Sequence, residues 1–140
     1  MSKDEAVTAY AGAINRLLVL ANAGGSGGRA AAQVLLSAYN GKAWQLDVTD
    51  LCLLDENNYQ SALLVLHYRR ALMQEPQEAI EDGDEKFHVL WEQWKRFHID
   101  NRHKQECGSC MGDGNHWDEE GVKVLGPCRC CNGEGLITQH

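Results

Sequence analysis

Apolar residues recur at three- and four-residue steps through the first part of the chain. From Lys3 to Ala23 they are Val7, Tyr10, Ala11, Ile14, Leu17, Leu18 and Ala21, the single stripe that an amphipathic helix turns inward. The run GGSGG at 24–28 breaks that helix, and Ser26 is placed to cap a second one carrying Ala31, Val34, Leu35 and Ala38. Asn40-Gly41 stops it. Trp44, Leu46 and Val48 alternate, which predicts a short strand, and Thr49 or Asp50 then opens a helical turn containing Leu51 and Leu54. A third helix is predicted from Glu56 to Met73, with Tyr59, Ala62, Leu63, Leu66 and Ala71 on its inner side. Pro76 ends that pattern. Asp84 reads as the N-cap of a fourth helix, whose Phe87, Leu90, Trp91, Trp94 and Phe97 share a face.

Cysteine usage divides the chain. Of six cysteines in 140 residues, one (Cys52) precedes residue 107. The others are Cys107, Cys110, Cys128, Cys130 and Cys131, and the same segment holds half of the 14 glycines. A segment so short and so poor in large aliphatic side chains cannot build a core of its own, so a disulfide or a metal must hold it together. No apolar run reaches the ~20 residues that span a bilayer, and MSKDEAVTAY lacks the apolar core of a signal peptide. A cytoplasmic protein of a bacterial cell follows, and that setting disfavours disulfides. Metal is the better reading.

The ligands follow from spacing. CGSCMGDG at 107–114 and CRCCNGEG at 128–135 both read C-x-x-C-x-G-x-G, with residues 111–127 separating Cys110 from Cys128. Zinc takes four ligands in a tetrahedron, and two thiolates at C-x-x-C spacing can grip it from one tight turn. Glycines behind each pair let backbone amides curl toward the sulfurs. Four cysteines leave no coordination position open, so one structural zinc is expected on Cys107, Cys110, Cys128 and Cys131. Cys130 stands between two of these ligands and competes with them, but only the pair Cys128 and Cys131 puts Gly133 and Gly135 at the offsets found after Cys110. The insertion HWDEEGVKVLG predicts a hairpin, with His116 to Asp118 on one arm, a turn at Glu120-Gly121, and Val122 to Leu125 on the other. His116 reads as a solvent-facing residue beside Trp117, with metal ligation as the weaker reading, and Cys52 as a small core residue. The fold class is therefore mainly α, a small helical bundle over residues 1–106, followed by a β-hairpin zinc ribbon over 107–140.

The paired C-x-x-C-x-G-x-G elements resemble the cysteine-rich zinc region of J-domain co-chaperones, which carries four such elements and binds two zincs. Two elements imply one zinc here. The His-Pro-Asp tripeptide of that family is absent, so the resemblance implies a metal site and no chaperone activity. The same pairing resembles the zinc motif of lambdoid phage Q-type antitermination proteins, which bind RNA polymerase and promoter DNA. The helical part is similar to an uncharacterised family of small proteins from bacterial phages and integrative elements. That likeness rests on AAAQVLLSAYN (30–40), LDVTDLCLLD (46–55) and FHVLWEQWKRF (87–97). It implies a mobile-element context.

Charge narrows the choice of partner. With 20 acidic residues against 13 Lys and Arg, the formal net charge is −7, which excludes coating of nucleic acid by bulk electrostatics. KRFHIDNRHK at 95–104 is the exception, since Lys95, Arg96, Arg102 and Lys104, with His98 and His103, face one acid, Asp100. It reads either as a helix end favoured by its dipole or as a local phosphate contact. The acids Glu75, Glu78, Glu81, Asp82, Asp84 and Glu85 form a solvated connection, or a decoy for a basic groove on a partner. GGSGG lacks the Lys-Ser/Thr of a phosphate loop, and no nucleophile–base signature appears. The expectation is a non-enzymatic regulatory or inhibitory protein that binds a host protein or nucleoprotein complex, an anti-defence role being one form. Its recognition residues would be Lys95, Arg96, Arg102, Lys104, His116 and Trp117. The alternative is a transcription regulator or antiterminator-like protein on DNA or RNA polymerase. Neither a membrane nor a small-molecule substrate is indicated.

Overall fold

The computed structural model describes residues 2–102, 104–108, 110, 112 and 114–138. Its contacts fall into two units, Met1–Ile99 and Asp100–His140.

In the first unit, α1 spans Lys3–Ala23, the range the periodicity predicts. Ser2 caps it by accepting the Glu5 N–H at 3.2 Å, and Asp4 and Glu5 sit in the first turn at the positive end of the helix dipole. Its buried stripe is Ala6, Tyr10, Ala13, Ile14, Leu17, Leu18 and Ala21. The turn to α2 (Gly25–Tyr39) is a single residue, Gly24, whose φ of 83° suits glycine. Ser26 is consequently inside the helix, and no side chain caps it.

The centre of the bundle is α2. Ala30 through Leu36 are all buried, so this helix is covered on every side rather than along one stripe. Its entry lies so close to α1 that a Cβ on Gly28 would stand 2.9 Å from the Leu20 carbonyl oxygen. The one polar side chain in the buried run is Gln33, and both ends of its amide are bonded. Its amide nitrogen donates to Asp50 Oδ2 at 3.1 Å, and its oxygen accepts the Asp47 N–H at 3.1 Å.

Those two bonds explain why residues 44–48 do not form the expected strand. They hold the segment across α2 as an extended link into a 3-10 turn, Val48–Leu53, and no strand is present among the described residues of this unit. Trp44 drops into the core, with its ring 5.1 Å from that of Trp91 at an interplanar angle of 81°. Val48 is left 72% exposed.

Asp55 caps α3 (Glu56–Ala71) by accepting the Asn58 N–H at 2.8 Å. The face it buries, Ser61, Ala62, Val65 and Tyr68, is rotated from the expected one, and Leu63 and Leu66 are exposed. The cause is tertiary and polar. Arg16 of α1 donates to Ser61 Oγ at 2.8 Å, which draws Ser61 inward, and Tyr68 stacks beside Tyr10 at 6.4 Å. Burial pushes the Tyr10 phenol up to about 12, and it donates to the Gln74 carbonyl at 2.8 Å.

Pro76 is buried in a 3-10 turn, Pro76–Ala79, and α4 covers Gly83–Trp94. Asp84 lies in its first turn rather than at the N-cap, which is Asp82 in a left-handed conformation. Phe87 and Leu90 are fully buried, with Trp91, Trp94 and Phe97 packed on the same core, as the apolar pattern predicts. Trp94 Nε1 donates to the Ala21 carbonyl at 3.1 Å, joining the Gly24 N–H and Gln93 Nε2 on that acceptor at the end of α1. Among the described residues no helix is long and apolar enough to cross a membrane.

The second unit consists of short strands. Here β1 (Lys104–Glu106) pairs antiparallel with β4 (Leu136–Thr138), and β2 (Asn115–Trp117) pairs with β3 (Val124–Pro127). The division between units falls after Ile99, earlier than a boundary at Cys107, because β1 belongs with β4. In the β2–β3 hairpin a bulge between His116 and Trp117 shifts the register. Asp118 closes the turn, its N–H donating to the Lys123 carbonyl at 2.9 Å and its Oδ1 accepting the Val122 N–H at 2.9 Å. The Val122 N–H is the main reason that its carboxyl is held below the usual range.

The close approach at Gly28 makes a paired test. Gly28→Ala should destabilise the helical unit by about 1–3 kcal/mol, because its methyl meets backbone rather than a mobile side chain. At Gly27 an added Cβ meets nothing nearer than 3.6 Å. Gly27→Ala should therefore be neutral or stabilise by up to about 1 kcal/mol through helix propensity. Denaturant unfolding followed by far-UV circular dichroism measures both.

Candidate metal centre

Each cysteine pair sits on a tight knuckle built by its own glycines. In the first, the Gly112 N–H donates to the Cys107 carbonyl at 3.2 Å and the Gly114 N–H to Cys110 Sγ at 3.3 Å. In the second, the Gly133 N–H donates to the Cys128 carbonyl at 3.0 Å and the Gly135 N–H to Cys131 Sγ at 3.1 Å. The two knuckles then lock together reciprocally. Cys107 N–H donates to the Gly135 carbonyl and Cys128 N–H to the Gly114 carbonyl, each at 2.9 Å. Gly114 and Gly135 have φ of 77° and 78°, and a Cβ on either would fall on the opposite knuckle, on the Gly133 and Gly112 carbonyls respectively. Any side chain at those positions would force the knuckles apart.

This arrangement brings the sulfurs of Cys107, Cys110, Cys128 and Cys131 within 4.8 Å of one another. All four residues are buried, at 1%, 6%, 4% and 5% exposure. Cys107 Sγ lies 3.9 Å from Cys128 Sγ, and Cys110 Sγ 3.7 Å from Cys131 Sγ. A disulfide would need about 2.05 Å. A tetrahedral metal with metal–sulfur bonds of about 2.3 Å needs sulfurs about 3.8 Å apart. The spacing fits the metal and none of the four is disulfide-bonded.

The thiols differ in acidity. Burial works against the Cys128 thiolate, but the N–H groups of Cys131 and Cys130, together with the Cys131 and Cys110 thiols, outweigh it and bring its pKa down to about 7. Burial pushes Cys131 up to about 11; the Gly135 N–H opposes this, and the neighbouring sulfurs add to it. A divalent cation held at the centre would supply the positive charge that lets such a set ionise together.

Cys130 is exposed and stands outside the cluster, which resolves its competition with Cys128 and Cys131. His116 is exposed on β2, also outside the cluster, and Trp117 is 39% exposed. Both border a surface groove with Asn115, Cys128, Arg129 and Cys130. Arg129 was not among the candidate residues, and its place between two ligand positions was the signal available in the sequence. Ile137 of β4 packs on the cluster and was likewise missed.

The basic island is divided between the two units. Lys95 and Arg96 form a 3-10 turn after α4, with the Arg96 guanidinium 5.8 Å from the centre of the Phe97 ring. Arg102 and Lys104 belong to the ribbon, where Lys104 pairs with Glu134 at 3.9 Å. His103 lies outside the described residues. Cys52 is not a core residue, because the 3-10 turn buries Leu51 and Leu54 partly and presents Cys52 outward beside Val48 and Tyr59.

A helical bundle joined to a four-cysteine ribbon is thus the class of protein that fold and site define. Residues 11–95 match the model of a family of unknown function, DUF7673, and the chain belongs to that family. The match covers most of the bundle and ends before the first cysteine of the cluster. No curated protein and no solved structure matches the chain.

Cobalt(II), a spectroscopic probe of tetrahedral thiolate sites, tests the ligand set. Wild type and Cys130→Ser should bind one equivalent with intense thiolate-to-metal absorption, and Cys110→Ser should lose it. Binding should weaken as pH falls, because protons compete for the sulfurs that the metal needs as thiolates. Absorption titrations at several pH values check all three outcomes.

Proposed function

We propose that the protein is a non-enzymatic, zinc-binding regulatory or inhibitory protein of a phage or other mobile element. In the cytoplasm of a bacterial host it binds a host protein or nucleoprotein complex. The observation that carries this reading is the closed four-cysteine cluster with a hairpin built around it. All four sulfurs point at one another, so a zinc held there has no position left for water or substrate and its chemistry is structural. What the centre provides is a fixed surface. His116, Trp117 and Arg129 line one groove, and aromatic and arginine side chains are the residues that anchor macromolecular interfaces.

Two resemblances support the reading. The paired C-x-x-C-x-G-x-G elements resemble those of J-domain co-chaperones, which bind zinc, and of Q-type antitermination proteins, which bind RNA polymerase and promoter DNA. The likeness of the bundle to small phage and integrative-element proteins supports the mobile-element context, and an anti-defence role is one form the activity takes. Contact with DNA or RNA polymerase is the competing outcome and would draw on Arg96, Arg102 and Lys104.

Affinity purification from the bacterial host separates these. The expected result is one enriched host complex, lost with Trp117→Ala while zinc content stays at one per chain. Retention of the complex by Trp117→Ala would contradict the placement of the interface. If DNA is the target, replacing Arg96, Arg102 and Lys104 with alanine should weaken binding and flatten its salt dependence.

A further inference from the structure

In the helical unit, α2 and α4 border a small, open aromatic cleft. It is lined by Tyr39, the last residue of α2, and by Phe87, His88, Trp91 and Glu92 of α4, with a volume of about 280 Å³. The Tyr39 and Trp91 rings stand nearly perpendicular, at 88° with centroids 6.2 Å apart, so they form two walls of a corner. Phe87 lies 5.4 Å from Tyr39 and is fully buried beneath it. Trp91 is fixed from behind, with the Trp44 ring at 5.1 Å and the His98 ring at 5.4 Å. The corner is therefore rigid before anything enters it.

We propose that this corner binds a quaternary ammonium group. Aromatic faces are electron-rich and attract a cation placed over them. Glu92 adds a carboxylate at the rim, exposed and without an ion-pair partner among the described residues. An anion would meet that carboxylate, and a neutral apolar group would gain nothing from it. A primary ammonium is a compact, strongly hydrated charge that resists transfer to an aromatic pocket. A methylated ammonium presents apolar methyl groups to the rings while keeping its charge. The cavity sits at the lower limit of ordinary ligand sites, about 300 Å³, so the group it takes is compact.

Tetramethylammonium chloride, titrated into the full zinc-loaded chain and followed by ¹H–¹⁵N NMR, tests this. The Trp91 indole resonance should shift saturably, and should not do so with tert-butyl alcohol, a neutral group of the same shape. Glu92→Gln, at an exposed position that leaves the core intact, should weaken binding about fivefold, and Trp91→Leu should abolish it. Choline and Nε-trimethyllysine then distinguish a free ligand from a peptide-borne one, and saturable binding of either supports the assignment. It is overturned if tert-butyl alcohol or n-butylammonium shifts Trp91 equally, or if Glu92→Gln binds within about twofold of wild type.

Discussion

Four buried sulfurs converging on one point are the constraint that shapes the C-terminal unit. Its strands are three or four residues long, and a lone two-stranded pair of that size is marginal in water. Among the described residues, the apolar contact around the cluster comes from Ile137 and the cysteines themselves. What aligns the strands is the interlocking of the knuckles, in which each first cysteine donates to the last glycine of the other pair. That interlock also aims the sulfurs, so strand pairing and metal geometry are one condition. As thiolates the four would repel one another, and a divalent cation held between them would turn that repulsion into attraction.

The helical unit rests on different physics. Its centre is a helix buried on all sides, and its stability comes from apolar packing around Val34, Leu35 and Leu36. Polar bonds act there as positioning devices. Gln33 ties down the 3-10 turn, Arg16 turns α3 onto Ser61, and Trp94 closes the end of α1. Membership of DUF7673 attaches to this unit, whereas the four-cysteine cluster lies beyond the matched residues. The proposed roles follow the same division, with macromolecular recognition on the ribbon and a compact cation on the bundle.

Sequence pattern revealed what local chemistry determines and missed what distant partners determine. The α1 boundaries were legible because an unbroken apolar stripe runs up to the GGSGG break. The four clustered cysteines were legible because the glycine offsets select Cys131 over Cys130. The face of α3 was not, since a leucine stripe outranks a serine until Arg16 is known to reach Ser61. Residues 44–48 alternate like a strand, yet Gln33, which pins the link that follows, sits on α2. The β1–β4 pair escaped because KQE and LIT carry no apolar alternation, and the knuckles alone bring them together.

The central claim is that metal, rather than apolar burial, holds the second unit in shape while the first stands without it. Amide hydrogen exchange on the whole chain, before and after removal of metal by a chelator, measures this directly. The account predicts that the amides of Cys107, Gly114, Cys128 and Gly135 lose protection on chelation while the core amides of α2 keep theirs. Protection that persists at those four positions in the metal-free protein would contradict it.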